Sequence, residues 1–137
     1  MNIKLKALKK SIWVFHVAAA SCNNCDIEIL AALTPRFDVE RFGILLVGSP
    51  RHADALLVTG VINRKSLPRV LEVYKQTPKP CLVIAVGTCA CDCHMFKDSY
   101  NVVGPYDRHL PVDVYIPGCP PRPEAIIAGV VKALSKL

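Results

Sequence analysis

Four of the seven cysteines in this 137-residue chain are spaced as ligands for a metal cluster. Cys22 and Cys25 form a Cys-x-x-Cys pair, while Cys89 and Cys119 stand apart from it and from each other. A cubane 4Fe–4S cluster takes four cysteine thiolates, and one Cys-x-x-Cys pair plus two distant cysteines is a common way to supply them. The pattern therefore favours one 4Fe–4S cluster held by these four residues.

Zinc binding and dithiol chemistry are the alternatives for the same thiols. Four thiolates also bind a structural zinc ion, although such sites more often use two close pairs and stabilise domains that lack a core. A thioredoxin-like redox pair at Cys22 and Cys25 would leave Cys89 and Cys119 without a role. The odd number of cysteines also argues against a secreted disulfide framework. A zinc-stabilised scaffold without a redox role thus remains the alternative outside iron–sulfur chemistry.

Two further cysteines compete with Cys89 for one ligand position. In an extended segment the side chains of Cys89, Cys91 and Cys93 would all point the same way, so the local sequence does not choose among them. Cys91 and Cys93 are therefore uncertain extra ligands, and their alternative role is that of small packing residues. Cys81 lies inside an apolar run and is interpreted as a core residue.

The elements that must position these cysteines alternate between strands and helices. Apolar, β-branched runs predict buried strands at Ile12–Val17, Ile44–Val47, Ala55–Thr59, Cys81–Val86 and Val112–Ile116. Apolar residues at helical spacing predict helices at Asp26–Leu33, after an N-cap at Ser66, and from about Pro121–Pro123 onward. This alternation predicts an α/β fold, a flavodoxin-like three-layer sandwich with a mostly parallel sheet.

The cysteines follow the strands at the edge where such a sheet binds its ligands. Cys22 and Cys25 follow the first predicted strand, Cys89 follows the fourth and Cys119 the fifth. Ligands of open α/β sheets sit at the carboxyl ends of the strands, so three loops would deliver cysteine to one place. Glycine and proline beside Cys89 and Cys119 would let the backbone approach a cluster closely and fix the shape of each loop.

One connection does not suit a regular crossover. The segment Gly48–Asp54 between the second and third predicted strands is too short for a crossover helix. We therefore expect the Ile44–Val47 strand to be peripheral or irregularly paired.

The composition is that of a globular subunit. Hydrophobic residues make up 52% of the chain and charged residues 20%, yet no apolar run is long enough to cross a bilayer. Such an apolar excess indicates a partner that covers part of the surface. The net charge is +6, but no nucleic-acid motif accompanies it, so nucleic acid is not an expected partner. We expect a basic extension or docking helix at residues 1–11 and a single domain at residues 12–137.

Three longer motifs carry a resemblance to a known family. They are Ser21-Cys22-Asn23-Asn24-Cys25-Asp26-Ile27-Glu28-Ile29, then Gly48-Ser49-Pro50-Arg51-His52-Ala53-Asp54, and Pro117-Gly118-Cys119-Pro120-Pro121-Arg122-Pro123-Glu124. Together they resemble the small subunits of membrane-bound, energy-converting group 4 nickel–iron hydrogenases, which are similar to the complex I subunit that carries its terminal cluster. Complex I subunits of this kind typically place two cysteines in tandem in the first motif, whereas the Cys-x-x-Cys pair is that of the hydrogenase type.

The resemblance implies an electron-transfer subunit of an oxidoreductase complex. Its proximal 4Fe–4S cluster, on Cys22, Cys25, Cys89 and Cys119, would pass electrons between a ferredoxin-like iron–sulfur subunit and the nickel–iron site of the large subunit. Proton reduction or hydrogen oxidation on that large subunit would be coupled to ion translocation. Integral membrane subunits would hold the chain peripherally at the cytoplasmic face of the cell membrane. A related sulfur-reducing or NADH- or ferredoxin:quinone oxidoreductase complex is the alternative.

Single residues depart from the family pattern or add to it. Glu28 is a candidate proton relay, although a solvent-facing or ion-paired glutamate is the simpler interpretation. Cys91-Asp92-Cys93-His94 stands where the family leads us to expect small residues and a glycine pair. Asn24 stands where glycine is usual, and asparagine tolerates the left-handed backbone. His16, inside a predicted strand, is interpreted as a hydrogen-bonded core histidine.

Overall fold

The computed structural model of the protein describes residues 10–135, so most of the predicted docking helix, residues 1–9, lies outside the described residues. The strands in chain order are β1 (Ile12–Ala18), β2 (Ile44–Leu46), β3 (Ala55–Thr59), β4 (Ile62–Asn63), β5 (Leu82–Val86), β6 (Val102–Gly104) and β7 (Val114–Ile116). The helices are α1 (Asn24–Leu33), α2 (Leu67–Gln76), α3 (Thr88–Asp92) and α4 (Pro123–Ser135). Among the described residues, no helix combines the length and apolar character that crossing a membrane requires.

Five strands form a parallel sheet in the order β2-β1-β3-β5-β7. Numbered within this sheet alone, the order is 2-1-3-4-5, which is the flavodoxin-like arrangement. The predicted fold class is therefore confirmed. The short connection is also explained, because β2 lies at the sheet edge and a 3-10 turn at Pro50–His52 leads from it towards β3 on the other side of β1. The peripheral placement of the second predicted strand was thus the correct one.

The sheet separates two apolar layers, as the alternating side chains of β3 show. Ala55 and Leu57 belong to the layer that α1 and α4 cover, while Leu56 and Val58 belong to the layer beneath α2 and α3. Every residue of β3 is buried, which is why the strand is a continuous apolar run in the sequence. The sheet therefore lies between two layers of helix, as predicted.

Three details differ from the sequence-based prediction. The antiparallel pair of β4 and β6 was not predicted, because strands of two and three residues are too short to show a period. Ser66 precedes α2 but does not cap it, since its hydroxyl is hydrogen-bonded with the backbone of Asn63 instead. The apolar spacing of the last helix predicts a buried stripe of Ile126, Ile127, Val130, Val131 and Leu134. In α4, Ile126 and Val130 are buried, but Val131 is 49% exposed, so this stripe was too wide.

We expect Ile84→Ala to lower the free energy of unfolding by about 2–5 kcal/mol, because it empties a fully buried site on the interior strand β5. Ile27→Ala removes the same atoms from the exposed face of α1 and should change the free energy by less than about 0.5 kcal/mol. Urea denaturation followed by circular dichroism measures both. An equal decrease in the free energy of unfolding for both variants would contradict the burial of Ile84 and the exposure of Ile27.

Candidate metal centre

The Cys-x-x-Cys pair lies where the chain leaves β1 and begins α1. Asn23 adopts a left-handed conformation, with φ of 69°, and its backbone N–H donates to Ser21 Oγ at 3.0 Å. This turn leaves Cys22 exposed and places Cys25 in the first turn of α1, where its side chain is buried. The expectation that Asn24 takes the left-handed conformation was wrong by one residue, because Asn24 is already the first residue of the helix.

Hydrogen bonds join the loop after β5 to the loop after β7. The N–H of Gly87 donates to the carbonyl of Ile116 at 2.8 Å, and the N–H of Thr88 donates to the carbonyl of Gly118 at 2.8 Å. In the opposite direction, the N–H of Gly118 donates a hydrogen bond to Thr88 Oγ1 at 3.1 Å. The two loops that carry the third and fourth cysteines are therefore held together as one unit.

Three of the four predicted ligands line one cavity. This cavity of about 200 Å³ has Cys22, Cys25 and Cys89 in its wall, together with Gly60 and Phe96. A larger cavity of about 450 Å³ lies between β1 and α2, but no cysteine lines it. We therefore place the candidate chemistry in the smaller cavity, since it brings three of the predicted ligand cysteines together.

The fourth cysteine, Cys119, belongs to the same group by its electrostatic effect. The pKa of Cys25 is raised to about 11, mainly by burial and then by negative charge at Cys22, Cys89, Asp26 and Cys119. Burial also raises the pKa of Cys89, followed by charge at Cys119 and Cys22. Charge at the neighbouring thiols therefore opposes the ionisation of Cys25 and Cys89, and a cationic metal group that binds all four thiolates would relieve this repulsion.

Glycine keeps open the space beside one of these sulfurs. A Cβ atom at Gly87 would lie 2.5 Å from Cys25 Sγ, and the residue has a φ of +90°, which L side chains rarely adopt. A glycine in this position lets the backbone pass close to the sulfur, as a loop around a bound cluster requires. Together with the four thiols, this open space fits an iron–sulfur cluster.

Zinc and a 4Fe–4S cluster require different arrangements of the same thiols. Zinc draws four ligands onto one ion at about 2.3 Å, whereas each cysteine of a cubane cluster binds a different iron atom. Within residues 10–135, no group of three or more His, Cys, Asp and Glu side chains is placed to hold a single metal ion. Metal analysis of the purified protein separates the two alternatives.

The premise that made Cys91 and Cys93 equal rivals of Cys89 was wrong. The segment is the short helix α3, not an extended strand, so successive side chains turn by about 100°. Cys91 packs against the apolar layer beneath α2. Cys93 follows the end of the helix in a left-handed conformation and is buried. Of these three, Cys89 is the residue that lines the cavity with the Cys-x-x-Cys pair. A ligand role for the other two remains an untested prediction.

Glu28 and the charged side chains of the second and third motifs lie outside this cavity. Glu28 is half-buried on α1, and its carboxylate forms no hydrogen bond or ion pair with another described residue. Arg51 and His52 are exposed in the turn between β2 and β3, and Arg122 is exposed just before α4. The proton-relay role of Glu28 therefore stays a prediction.

A hydrogen-bonded network next to Cys25 was missed by sequence reasoning. Thr59 Oγ1 donates to Asp26 Oδ1 at 2.8 Å, and His16 Nε2 lies 2.9 Å from the same oxygen. His16 is hydrogen-bonded, as we expected, but its side chain is 23% exposed and lines the larger cavity, so it is not a core residue. Asp26 could have been singled out because it directly follows Cys25, but its contact with Thr59 depends on the pairing of β1 with β3, which the sequence does not show.

Comparison with known proteins gives one family and relatives of several kinds. Residues 22–133 match the family described as NADH ubiquinone oxidoreductase, 20 Kd subunit. The chain is 61% identical over 132 residues to the probable membrane-bound hydrogenase subunit mbhJ of Pyrococcus furiosus, covering 96% of the chain and 79% of the relative. It is 46% identical over 131 residues to a subunit of the NADH-quinone oxidoreductase of Geotalea daltonii, covering 96% and 75%.

A solved structure agrees with these relatives. A chain of the membrane-bound sulfane sulfur reductase, an archaeal respiratory membrane complex, superposes with a TM-score of 0.85 at 40% identity, covering 97% of this chain and 73% of the other. The relatives are thus subunits of oxidoreductase complexes.

We expect Gly87→Ala to prevent stable cluster binding, because its Cβ would press on Cys25 Sγ at a backbone position that strains any side chain. Gly48→Ala is the matched control, since no atom lies within 4 Å of a Cβ there. Iron and labile sulfide, measured after anaerobic reconstitution, should fall at least several-fold in the first variant and stay unchanged in the second. A full complement of iron in Gly87→Ala would contradict the placement of the centre.

Proposed function

Because the chain belongs to the family of the NADH ubiquinone oxidoreductase 20 Kd subunit, we propose that it carries one 4Fe–4S cluster on Cys22, Cys25, Cys89 and Cys119. Its function is electron transfer within a membrane-bound oxidoreductase complex. One observation carries the proposal: loops from three strand ends meet at the carboxyl edge of the sheet, and each supplies cysteine. Four thiolates are the donor set that such a cluster takes.

Within this class, we propose a hydrogenase complex. The 61% identity to a probable membrane-bound hydrogenase subunit supports it, as does the Cys-x-x-Cys spacing. The chain would pass electrons between a ferredoxin-like subunit and a nickel–iron site on a large subunit, with integral membrane subunits anchoring it peripherally at the cytoplasmic face of the membrane. The relatives in sulfane sulfur reductase and NADH-quinone oxidoreductase keep a sulfur- or quinone-reducing complex as the second candidate.

The residues of this chain would bind the cluster, cover its inner side and leave its outer side near the surface. When bound, a 4Fe–4S cluster accepts and releases one electron. The buried Cys25 would fix its inner side, and Phe96, at the cavity wall, would limit contact with water. Cys22 and Cys119 are exposed and would leave its outer side near the surface, where a partner can approach closely enough for electron transfer.

Large apolar side chains are exposed on α1, the helix that carries Cys25, and beside Phe96. Ile27 and Leu30 are more than half exposed on the outer face of α1, and Met95 is 77% exposed next to Phe96. Large apolar side chains left exposed in this way favour a protein interface. The large subunit of the proposed complex is therefore expected to contact this face.

The cluster is tested by anaerobic purification with metal analysis and EPR. We expect about four iron atoms and four labile sulfides per chain. Changing any one of Cys22, Cys25, Cys89 or Cys119 to serine should abolish or strongly alter the EPR signal. Cys81→Ala, Cys91→Ala and Cys93→Ala are cysteine-removing controls and should retain it. Zinc without iron or labile sulfide would overturn the proposal in favour of a scaffold.

The type of complex is tested by purification through an affinity tag on this chain. We expect a large subunit with four nickel–iron thiolates to co-purify, and the complex to evolve hydrogen from a reduced ferredoxin. A large subunit without these thiolates, together with sulfur or quinone reduction, would support the second candidate instead.

A further inference from the structure

Two donors converge on a single carboxylate oxygen beside the buried cysteine. Thr59 Oγ1 lies 2.8 Å and His16 Nε2 lies 2.9 Å from Asp26 Oδ1. An ionised carboxylate only accepts hydrogen bonds, so the histidine nitrogen that faces it must carry a proton. The three side chains therefore form a closed network, because His16 Nε2 is also 3.0 Å from Thr59 Oγ1.

The network is anchored in the rigid part of the fold. Thr59 ends the central strand β3 and is completely buried. Its carbonyl accepts a hydrogen bond at 3.1 Å from the hydroxyl of Tyr106, which is also buried. His16 belongs to β1, the neighbouring strand. The donors are thus fixed by two strands and a buried tyrosine, and they hold the Asp26 carboxylate in one position.

The position of this carboxylate matters because Asp26 directly follows Cys25. The Asp26 carboxylate accepts a hydrogen bond from Thr59, and the next residue along the chain, Gly60, lines the cavity together with Cys25. A negative charge held beside this cavity disfavours an added electron on a cluster bound there, because like charges repel. Net charge around a cluster is one of the factors that set its reduction potential.

We propose that Asp26 lowers the reduction potential of the cluster, and that His16 and Thr59 are positioning residues that fix its carboxylate next to the Cys25 ligand. The inference rests on the proposed function, because it requires the cluster. A helix-stabilising role is the simpler explanation of Asp26, since an acidic residue in the first turn of α1 interacts favourably with the helix dipole. That role alone would leave the potential unchanged.

The test is an EPR-monitored redox titration of the purified complex. Asp26→Asn keeps an oxygen that can accept both hydrogen bonds but removes the charge, so the midpoint potential should shift to a more positive value. Asp26→Glu keeps the charge and should remain closer to the unchanged protein. Asp38→Asn is the matched control, because Asp38 is exposed and lies beyond the far end of α1, which is about 15 Å long.

The positioning role has its own measurement. Thr59→Val removes the hydroxyl and keeps the shape, so the carboxylate should take several positions and the EPR lines should broaden. Thr59→Ser keeps the hydroxyl and should restore narrow lines. Equally narrow lines in Thr59→Val and the unchanged protein would overturn the role of Thr59.

The outcomes separate this inference from the proposed function. A cluster signal in Asp26→Asn with an unchanged midpoint potential overturns the inference and leaves the proposed function standing. Absence of any cluster in the unchanged complex overturns the proposed function itself. If Asp26→Asn does not assemble the cluster, Asp26→Ser takes its place, and a more positive potential supports the inference while an unchanged one rejects it.

Discussion

The hydrogen bonds between the loop after β5 and the loop after β7 are the constraint on which the candidate centre depends. Parallel pairing brings the two strand ends to the same edge, but strand ends alone would leave each loop free to point elsewhere. The bonds from Gly87 and Thr88 to the neighbouring loop remove that freedom. Gly87 also leaves room for Cys25 from the third loop, so one residue links all three loops. The backbone of the three loops therefore fixes where the four cysteines lie.

Much of the fold could be predicted from the sequence because the buried strands are continuous apolar runs. Ala55–Thr59 was predicted with the bounds that the structure has, and the other main strands agree within two residues at either end. The connection too short for a helix indicated that the second strand is peripheral or irregularly paired, and β2 lies at the sheet edge. Cysteines placed directly after such strands indicated one edge of the sheet, which is a consequence of parallel topology and needs no side-chain detail.

The rest could not be predicted because it depends on contacts between distant segments. A five-residue helix such as α3 has little stability of its own and forms because the surrounding structure holds it. Without it, Cys89 could not be distinguished from Cys91. The left-handed turn fell on Asn23 and not on Asn24, a choice that two equally suitable asparagines leave to tertiary packing. The network around Asp26 likewise exists only once two strands are paired.

The wide separation of the proposed ligands along the chain has a consequence for biogenesis. A ribosome needs roughly 5 to 20 s to add the residues between Cys25 and Cys119. During this time the four proposed ligands are not all present. Unlike a zinc finger, which folds around its metal, this sheet has an apolar core of its own on both faces. Cofactor insertion would therefore follow folding, and the raised pKa of Cys25, caused by burial, would keep that thiol protonated and slow to oxidise until an iron–sulfur carrier reaches it.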